Sequence, residues 1–430
     1  MSERLLDEFA TRLLETRIAP AFAVAVTDRD RTLMVKTYGA ASPESLWAIG
    51  SIGKSVTAVL ALQLADEGVI DLHAPVTDYV DWMTLSGGSG PITLHHLLTH
   101  TSGVIANSDR APASTFDVIA LGEVAPGFAP GEHFYYSNVG YRAVGVVLET
   151  VTGRSYAELV QRRVLDRLGM RASVPVMVHE TRRRLPGGHV PFYDDRPWER
   201  AHGLVPGPWV ESAEADGCLC CSPEDLARYL RALWAGEELL SESSRTQMRT
   251  AHARSADGDE QYGYGVELDR GGFGHGGDML GYVAHMWADT EAGLGVVAFA
   301  NGIGGARALG EAALEIARGR TPSGPDFPPD PELRDDGSCP PAWMPYVGRY
   351  RAHNPWLPTF SIAARSGALV LGTDWLDGSE QYPLAAIDED TFRVGDAEWS
   401  PERLRFDTII GDRAQRAIYS GTPYYRAFTA

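Results

Sequence analysis

The stretch SIGKSVTAVLALQLADEG, residues 51 to 68, predicts a buried helix with two reactive side chains at its head. Its apolar residues lie on most sides of the helix, and Gly68 is a good residue to end it. Ser51 and Lys54 are three residues apart, so on a helix the amine can reach the hydroxyl. This arrangement suits a nucleophilic serine with a lysine base, and Ser-x-x-Lys is a known acyl-enzyme motif.

The choice of lysine at position 54 is informative because lysine is scarce here. Only Lys36 and Lys54 are lysines among the 38 basic residues of the chain. A guanidinium is effectively never deprotonated, whereas a desolvated ammonium can release its proton. Two simpler explanations stay open: Ser-x-x-Lys occurs by chance in many proteins, and the scarcity can reflect codon usage.

The composition predicts a globular protein of two domains. The chain has 430 residues, 44% of them hydrophobic, and a formal net charge of −19, which argues against nucleic acid and anionic membranes as partners. No stretch approaches the length of a transmembrane helix, and the N-terminal pattern is amphipathic, unlike an export signal. We therefore expect a cytoplasmic protein that acts on a small-molecule or peptide substrate.

The periodicity of the apolar residues divides the chain into three segments. Residues 1–318 have helices at both ends with strands beside each, which predicts an antiparallel sheet that carries the terminal helices. Residues 319–341 form a proline-rich linker. Residues 342–430 contain short alternating runs separated by turns, as in a small all-β barrel or sandwich. The predicted fold class is α+β, with a second, small all-β domain.

Several individual elements are predicted within these segments. The predicted helices cover 51–68, 95–100, 138–153 and 306–318, and two more begin after the capping residues Ser155 and Ser222. The predicted strands cover 24–26, 32–38, 283–288, 294–300, 360–364, 368–371, 391–394 and 415–419.

Two further motifs accompany the Ser-x-x-Lys motif. Tyr136 and Asn138 lie between a Pro-Gly turn and a helix start, so their side chains can point into one cleft. His275-Gly276-Gly277 lies on a predicted strand and precedes Asp278, and glycines there let a substrate backbone lie close to the strand. Each motif is common by itself, but their order and spacing along the chain are specific.

Taken together, Ser51-x-x-Lys54, Tyr136-x-Asn138 and His275-x-Gly277 resemble the penicillin-binding-protein and class C β-lactamase superfamily of serine acyl-enzymes. The segments 97–103, 130–132 and 137–141 are similar to it as well, and the likeness covers about residues 10–318. The resemblance implies a β-lactamase-like domain, in which an antiparallel sheet flanked by helices and an all-helical region enclose the active site.

The resemblance also implies roles for four side chains. Ser51 would attack a carbonyl and form a covalent acyl-enzyme. Either Lys54 as a neutral amine or Tyr136 as a phenolate would take the hydroxyl proton, and both stay open as the base. Tyr136 would also donate a proton to the leaving group, and Asn138 would hydrogen-bond Lys54 or a substrate amide.

The strand motif supplies His275, the fifth candidate catalytic residue, together with the expected oxyanion and substrate contacts. By analogy with the family, the oxyanion would lie between the backbone N–H groups of Ser51 and Asp278, beside Gly276 and Gly277. β-Lactamases usually have Lys-Thr-Gly where this chain has His275-Gly276-Gly277, and a histidine is mostly uncharged near neutral pH. A β-lactam carboxylate would therefore lack its usual cation, and the His-x-Gly form resembles the D-aminopeptidase, DD-peptidase and esterase branches. The Asp278 carboxylate could hold a substrate ammonium, although a solvated turn carboxylate is the simpler interpretation.

The leading functional prediction is a serine hydrolase that cleaves an amide, in a peptide with a D-residue near the scissile bond. An acyl or peptidyl transferase, a thioesterase-cyclase or an esterase would use the same site, and a non-catalytic sensor or assembly protein is the least favoured alternative. The C-terminal domain resembles the lipocalin-like barrels of members that assemble into closed oligomers, so a homo-oligomer is also expected.

The cysteines predict neither disulfides nor a metal site. Cys218, Cys220 and Cys221 are crowded together, but no second Cys/His pair has ligand spacing. Their expected role is close packing near the cleft, and His100 is expected to be a structural hydrogen-bonding residue. Neither a metal nor an organic cofactor is needed for the predicted reaction.

Overall fold

The computed structural model describes residues 2–84, 90–108, 114–122, 124–193, 198–212, 214–255, 261–269, 271–325, 335–354, 357, 359–373 and 381–427. Its helices in these ranges are α1 (Glu3–Glu15), α2 (Gly53–Asp66), α3 (Leu94–Leu98), α4 (Ser114–Ala120), α5 (Asn138–Thr152), α6 (Tyr156–Val160), α7 (Asp166–Leu168), α8 (Pro223–Trp234), α9 (Glu242–Met248) and α10 (Ala306–Ala317). Short 3₁₀ turns cover Gly50–Ile52, Val76–Asp78, Thr181–Arg184 and Pro341–Tyr346, and a π-helical turn covers Gln161–Leu165. Within the described ranges, no helix has both the length and the apolar character needed to cross a membrane.

The strands form one large sheet, two short two-stranded sheets and a closed barrel. Those before the barrel are β1 (Ala21–Thr27), β2 (Thr32–Gly39), β3 (Trp47–Ala48), β4 (His189–Pro191), β5 (Leu204–Pro206), β6 (Cys220–Cys221), β7 (Ala253–Arg254), β8 (Gln261–Tyr262), β9 (Glu267–Leu268), β10 (Gly272–Met279), β11 (Tyr282–Asp289) and β12 (Leu294–Ala300). The large sheet is antiparallel and has the order β2-β1-β12-β11-β10-β9-β8-β7.

Helices cover both faces of this sheet. Strand β1 is buried along its whole length, and its alternate residues enter two different cores. Phe22, Val24 and Val26 pack with the terminal helices α1 and α10, whereas Ala23 and Ala25 pack in the core that contains α2 and α8. The prediction of an antiparallel sheet that carries the terminal helices is confirmed.

The central helix α2 is buried from Gly53 to Leu64. Its sequence is apolar on most sides, which a helix tolerates only inside a core. The regular helix begins two residues later than predicted, because Gly50–Ile52 form a 3₁₀ turn. Ser51 therefore lies on the turn that leads into α2.

The cap predictions agree with the structure, and one helix boundary differs. Ser155 and Glu158 form a capping box at α6, and Ser222 caps α8, which has Pro223 in its first turn. The helix predicted at 95–100 ends earlier, as α3, and His100 has a left-handed backbone with φ of 58°.

The C-terminal strands close into an eight-stranded barrel, which confirms the predicted all-β domain. They are β13 (Gly348–Arg351), β14 (Phe360–Arg365), β15 (Ala368–Thr373), β16 (Gln381–Ala386), β17 (Thr391–Val394), β18 (Arg403–Ile410), β19 (Arg413–Tyr419) and β20 (Thr422–Arg426). The alternation pattern identified four of them; β16 and β20 contain Pro383 and Pro423, which weaken a strand pattern. The domain boundaries at 318/319 and 341/342 stay predictions.

Candidate active site

The Ser51 side chain lies on a tight turn held by glycines. Gly50 has φ of +52°, and a methyl group on it would lie 2.5 Å from the backbone nitrogen of Asp278. A methyl group on Gly217 would lie 2.4 Å from the carbonyl oxygen of Gly50. Only glycine fits at either position, so the close packing of three backbone segments fixes the turn that presents Ser51.

The Lys54 amine is completely buried and has three polar partners. Its Nζ lies 3.0 Å from Ser51 Oγ, 2.6 Å from Asn138 Oδ1 and 2.8 Å from the carbonyl oxygen of Asp216. The last two atoms can only accept hydrogen bonds. A neutral amine has two N–H bonds and one lone pair, so donation to these two acceptors leaves the lone pair for the Ser51 hydroxyl proton.

The surroundings of Lys54 favour this neutral form. Burial lowers its pKa to about 7, an effect that Asp216 opposes and the Arg142 cation reinforces. The rings of Tyr136 and Tyr141, whose centroids lie 4.9 and 5.6 Å from Nζ, contribute to this burial.

Tyr136 lies beside the same hydroxyl but stays protonated. Burial raises its pKa well above the usual value, and its hydrogen bond with Ser51 only partly opposes that effect. The His100 ring packs on the Tyr136 ring at 4.2 Å, and His100 Nδ1 accepts a hydrogen bond from the N–H of Ser137 at 3.0 Å. His100 is thus a buried residue of the structural support, as the sequence suggested.

Asn138 is the first residue of α5. The hydroxyl of Ser137 caps this helix by accepting a hydrogen bond from the N–H of Gly140 at 2.9 Å. Asn138 Nδ2 donates to Asn107 Oδ1 at 2.8 Å, which orients the amide so that its oxygen faces Lys54. The cap therefore fixes the start of α5, and Asn107 fixes the amide.

Strand β10 packs directly against the turn that carries Ser51. A methyl group on Gly277 would lie 1.9 Å from the carbonyl oxygen of Ile49 and 3.3 Å from the backbone nitrogen of Ser51. Gly276 has open space around its Cα, and Asp278 is exposed. The backbones of Ser51 and Asp278, which were predicted to bind the oxyanion, therefore lie against each other.

The His275 side chain contacts Tyr136 and Tyr262 rather than Ser51. Its side chain is 3% exposed, and its ring centroid lies 6.2 Å from that of Tyr136. Nδ1 donates to the carbonyl oxygen of Gly276, so Nε2 accepts from the Tyr262 hydroxyl at 2.9 Å. Burial lowers the pKa of His275, although the Glu267 carboxylate opposes this. This histidine is therefore neutral and contacts Tyr262, not Ser51.

The sequence did not indicate the ion-pair cluster that positions Asp216, whose carbonyl oxygen accepts a hydrogen bond from Lys54. Arg142 forms ion pairs with Asp117, with Glu214 at 2.8 Å and with Asp216 at 3.3 Å. This cluster anchors the segment whose Asp216 carbonyl oxygen accepts from Lys54. No local motif in the sequence marks it, because its members come from three separate segments.

Glu267 on β9 is a second residue that the sequence did not indicate. Its carboxylate lies 3.6 Å from His275 Nδ1, and its side chain is 42% exposed. Its negative charge also helps to raise the pKa of Tyr136. Asp278, on the adjacent strand β10, is a second exposed acidic residue.

The three crowded cysteines are buried. Cys220 and Cys221 form β6, which pairs with β3 just ahead of the Ser51 turn, and burial raises the pKa of all three thiols. Among the described residues, no group of three or more His, Cys, Asp or Glu side chains is placed to hold a metal ion.

Comparison with known proteins places this cleft in a family. The sequence model described as Beta-lactamase matches residues 6–320. The chain is 27% identical to Protein flp of Staphylococcus aureus (strain N315) over 186 residues, which are 39% of this chain and 37% of that protein. It is 30% identical to Esterase EstB of Burkholderia gladioli over 226 residues, 46% of this chain and 56% of that protein. The matches thus span only 37% to 56% of these curated relatives.

Solved structures share the fold over 69% to 99% of the chain. An octameric penicillin-binding protein homologue from Pyrococcus abyssi has a TM-score of 0.66 and 24% identity, with 99% of this chain and 100% of that chain covered. SurE with D-Leu has a TM-score of 0.60 and 22% identity, with 99% of both chains covered. A D-stereospecific amidohydrolase from Streptomyces sp. has a TM-score of 0.59 and 24% identity, with 69% of this chain and 93% of that chain covered.

Proposed function

The chain belongs to the Beta-lactamase family of serine hydrolases, and on that basis we propose that it cleaves an amide bond through an acyl-enzyme on Ser51. The proposal depends mainly on one observation. The two N–H bonds of a neutral Lys54 amine are taken by acceptors at 2.6 and 2.8 Å, which directs its lone pair to the Ser51 hydroxyl at 3.0 Å.

Lys54 is the general base in this mechanism. Its pKa is lowered to about 7, whereas that of Tyr136 is raised far above the neutral range, so the amine and not the phenolate is available to take a proton. Ser51 Oγ loses its proton to Nζ as it bonds to the substrate carbonyl carbon. The backbone N–H groups of Ser51 and Asp278 then stabilise the oxyanion.

Tyr136 remains a neutral proton donor beside the reacting atoms. Its hydroxyl is hydrogen-bonded to Ser51, so it can give its proton to the nitrogen that leaves, and the Lys54 ammonium then returns a proton to it. Water then attacks the acyl-enzyme ester, and the reverse proton transfers release Ser51. An amine or alcohol in place of water would turn the same reaction into a transfer.

Two carboxylates near the site support a substrate with a free ammonium. Glu267 lies 3.6 Å from His275, and the exposed Asp278 follows Gly277 on the adjacent strand, so either carboxylate can pair with an N-terminal amine. Two solved structures with the same fold favour a D-configured substrate: one is a D-stereospecific amidohydrolase, and the other is SurE with D-Leu. We therefore propose a D-residue with a free amine next to the scissile bond.

Ester hydrolysis is the second candidate. The relative with 30% identity is an esterase, and its match includes about half of this chain. Esters need no protonation of a leaving nitrogen, so the same Ser51 and Lys54 pair would accept them.

Turnover of a matched substrate set tests the choice between these candidates. We expect D-aminoacyl p-nitroanilides with a free amine to be cleaved faster than their N-acetyl forms and their L-isomers. Glu267→Gln keeps the shape but removes the charge, so it should raise KM about tenfold for the free amines and leave the N-acetyl substrates unchanged. Turnover of p-nitrophenyl esters or thioesters alone would refute the amide proposal and favour the esterase.

The pH dependence follows from the Lys54 amine. Only the neutral amine can act as a base, and its pKa is about 7, so kcat/KM for a neutral ester should rise about tenfold for each pH unit below pH 7 and level off above about pH 8. Rates measured from pH 5 to 9 under constant ionic strength would show this. A profile that is flat from pH 5 to 8, or that falls as the pH rises, would be incompatible with Lys54 as the base.

Two earlier expectations stay predictions. The octameric homologue from Pyrococcus abyssi shares the barrel domain, and we propose that this chain also forms a homo-oligomer. The cytoplasmic location stays a prediction from the sequence.

A further inference from the structure

The C-terminal barrel makes a close contact with the active-site domain. The segment 399–402, between β17 and β18, packs on the loops that precede α5. A methyl group on Gly127 would lie 2.1 Å from the carbonyl oxygen of Trp399, so the two backbones touch there. The Trp399 ring stacks on His133 at 4.5 Å and meets Phe128 edge-on at 5.3 Å.

A buried carboxylate lies in the middle of this contact. Glu402 is 4% exposed, and its Oε1 accepts hydrogen bonds from the N–H of Ala106 at 2.8 Å and from the Tyr135 hydroxyl at 3.0 Å. Its Oε2 accepts from the hydroxyl of Ser420, which belongs to the barrel. Burial raises the pKa of Glu402, and these three hydrogen bonds oppose that effect.

The residues of both donors from the active-site domain, Ala106 and Tyr135, are linked to the proposed catalytic residues by backbone hydrogen bonds or by adjacency in sequence. The carbonyl oxygen of Ala106 accepts a hydrogen bond from the N–H of Asn138 at 2.8 Å. Tyr135 precedes Tyr136, and its N–H donates to the carbonyl oxygen of His100 at 2.7 Å. The ring of His100 in turn supports the ring of Tyr136.

We propose that Glu402 of the barrel is a positioning residue that sets the placement of Tyr136 and Asn138 through Tyr135 and Ala106. This inference rests on the proposed function, because the placement matters only if those side chains take part in catalysis. Glu402 does not act on the substrate. Its removal takes the acceptor from three buried donors, two of which belong to the active-site domain, so the segments that carry them move to regain partners. A shift of about 1 Å in catalytic groups can slow a reaction about 100-fold.

Three variants separate positioning from simple stability. Glu402→Ala removes the acceptor. Glu402→Gln keeps an oxygen for Ala106 and Tyr135 and presents an amide to Ser420. Phe360→Leu weakens the barrel core, in which Phe360 is 1% exposed, without touching the contact.

We expect Glu402→Ala to slow the labelling of Ser51 by a fluorophosphonate, and kcat for p-nitrophenyl acetate, by about tenfold or more, with KM nearly unchanged. Glu402→Gln should restore most of the rate. Phe360→Leu should lower the melting temperature and keep the rate. Amide hydrogen exchange in residues 134–140 should be faster in Glu402→Ala alone, and this readout needs no turnover.

The outcomes distinguish this inference from the proposed function. A wild-type protein that neither reagent labels refutes the proposed function, while the exchange data still test the contact. Unchanged exchange and unchanged labelling in Glu402→Ala would overturn the inference. The inference would also be overturned if Phe360→Leu lost as much rate as Glu402→Ala, or if Glu402→Gln were as slow as Glu402→Ala.

Discussion

Lys54→Arg should abolish acylation of Ser51 while it keeps the positive charge. An arginine cannot supply a lone pair near neutral pH, and the Lys54 pocket lowers the pKa of its amine to about 7 so that it can. General base catalysis contributes about 10²- to 10⁴-fold, so we expect a loss of that size in the rate at which a fluorophosphonate labels the protein.

Lys36→Arg is the matched control for this substitution. Lys36, the other lysine, lies on β2, and its Nζ is 2.8 Å from Asp7 Oδ1 in an ion pair that arginine can keep. The control should label at the wild-type rate. Melting temperatures of both variants would show whether the larger side chain at position 54 disturbs the fold. A folded Lys54→Arg protein with most of its activity would show that the amine is not the base.

Gly277→Ala should displace strand β10, which carries Asp278, one of the two proposed oxyanion donors. The added methyl would lie 1.9 Å from the carbonyl oxygen of Ile49, so β10 must move away from the Ser51 turn. Overpacking of this kind costs about 1–3 kcal/mol, and the resulting displacement of the Asp278 amide should slow acylation about 100-fold. Thermal unfolding and stopped-flow acylation with p-nitrophenyl acetate would measure the two effects.

The neighbouring glycine gives the stability control. Gly276→Ala places a methyl group where nothing lies within 4 Å, so its melting temperature should match that of the wild type. Equal stability and equal acylation of Gly277→Ala and the wild type would contradict the close packing of β10 against the Ser51 turn.

The sequence predicted the layers of the fold because its signals are local. Apolar periodicity, the caps at Ser155 and Ser222 and the alternation in β14, β15, β17 and β19 each depend on a few adjacent residues. The Ser51 and Lys54 pair was predictable for the same reason. The start of α2 was not, since a 3₁₀ turn and a helix have similar sequence patterns.

The residues that tune the site could not be predicted from the sequence. Asp216 and Arg142 act on Lys54 from segments far along the chain, and Glu402 reaches Ala106 across 296 positions. Their effects depend on contacts between segments that are distant in sequence, and part of each contact is made by a backbone carbonyl or amide group, which carries no residue signature. His275 illustrates the same limit, since only the structure shows that both ring nitrogens are engaged away from Ser51.

The central claim, that Ser51 is a nucleophile activated by its neighbours, is tested most directly by trapping the covalent intermediate. The wild-type protein and Ser51→Ala are treated with a fluorophosphonate, and intact mass and peptide mapping are recorded over time. The account predicts one adduct per wild-type chain, on Ser51, and no adduct on Ser51→Ala. An unlabelled wild-type protein, or an adduct on another residue that persists in Ser51→Ala, would contradict it.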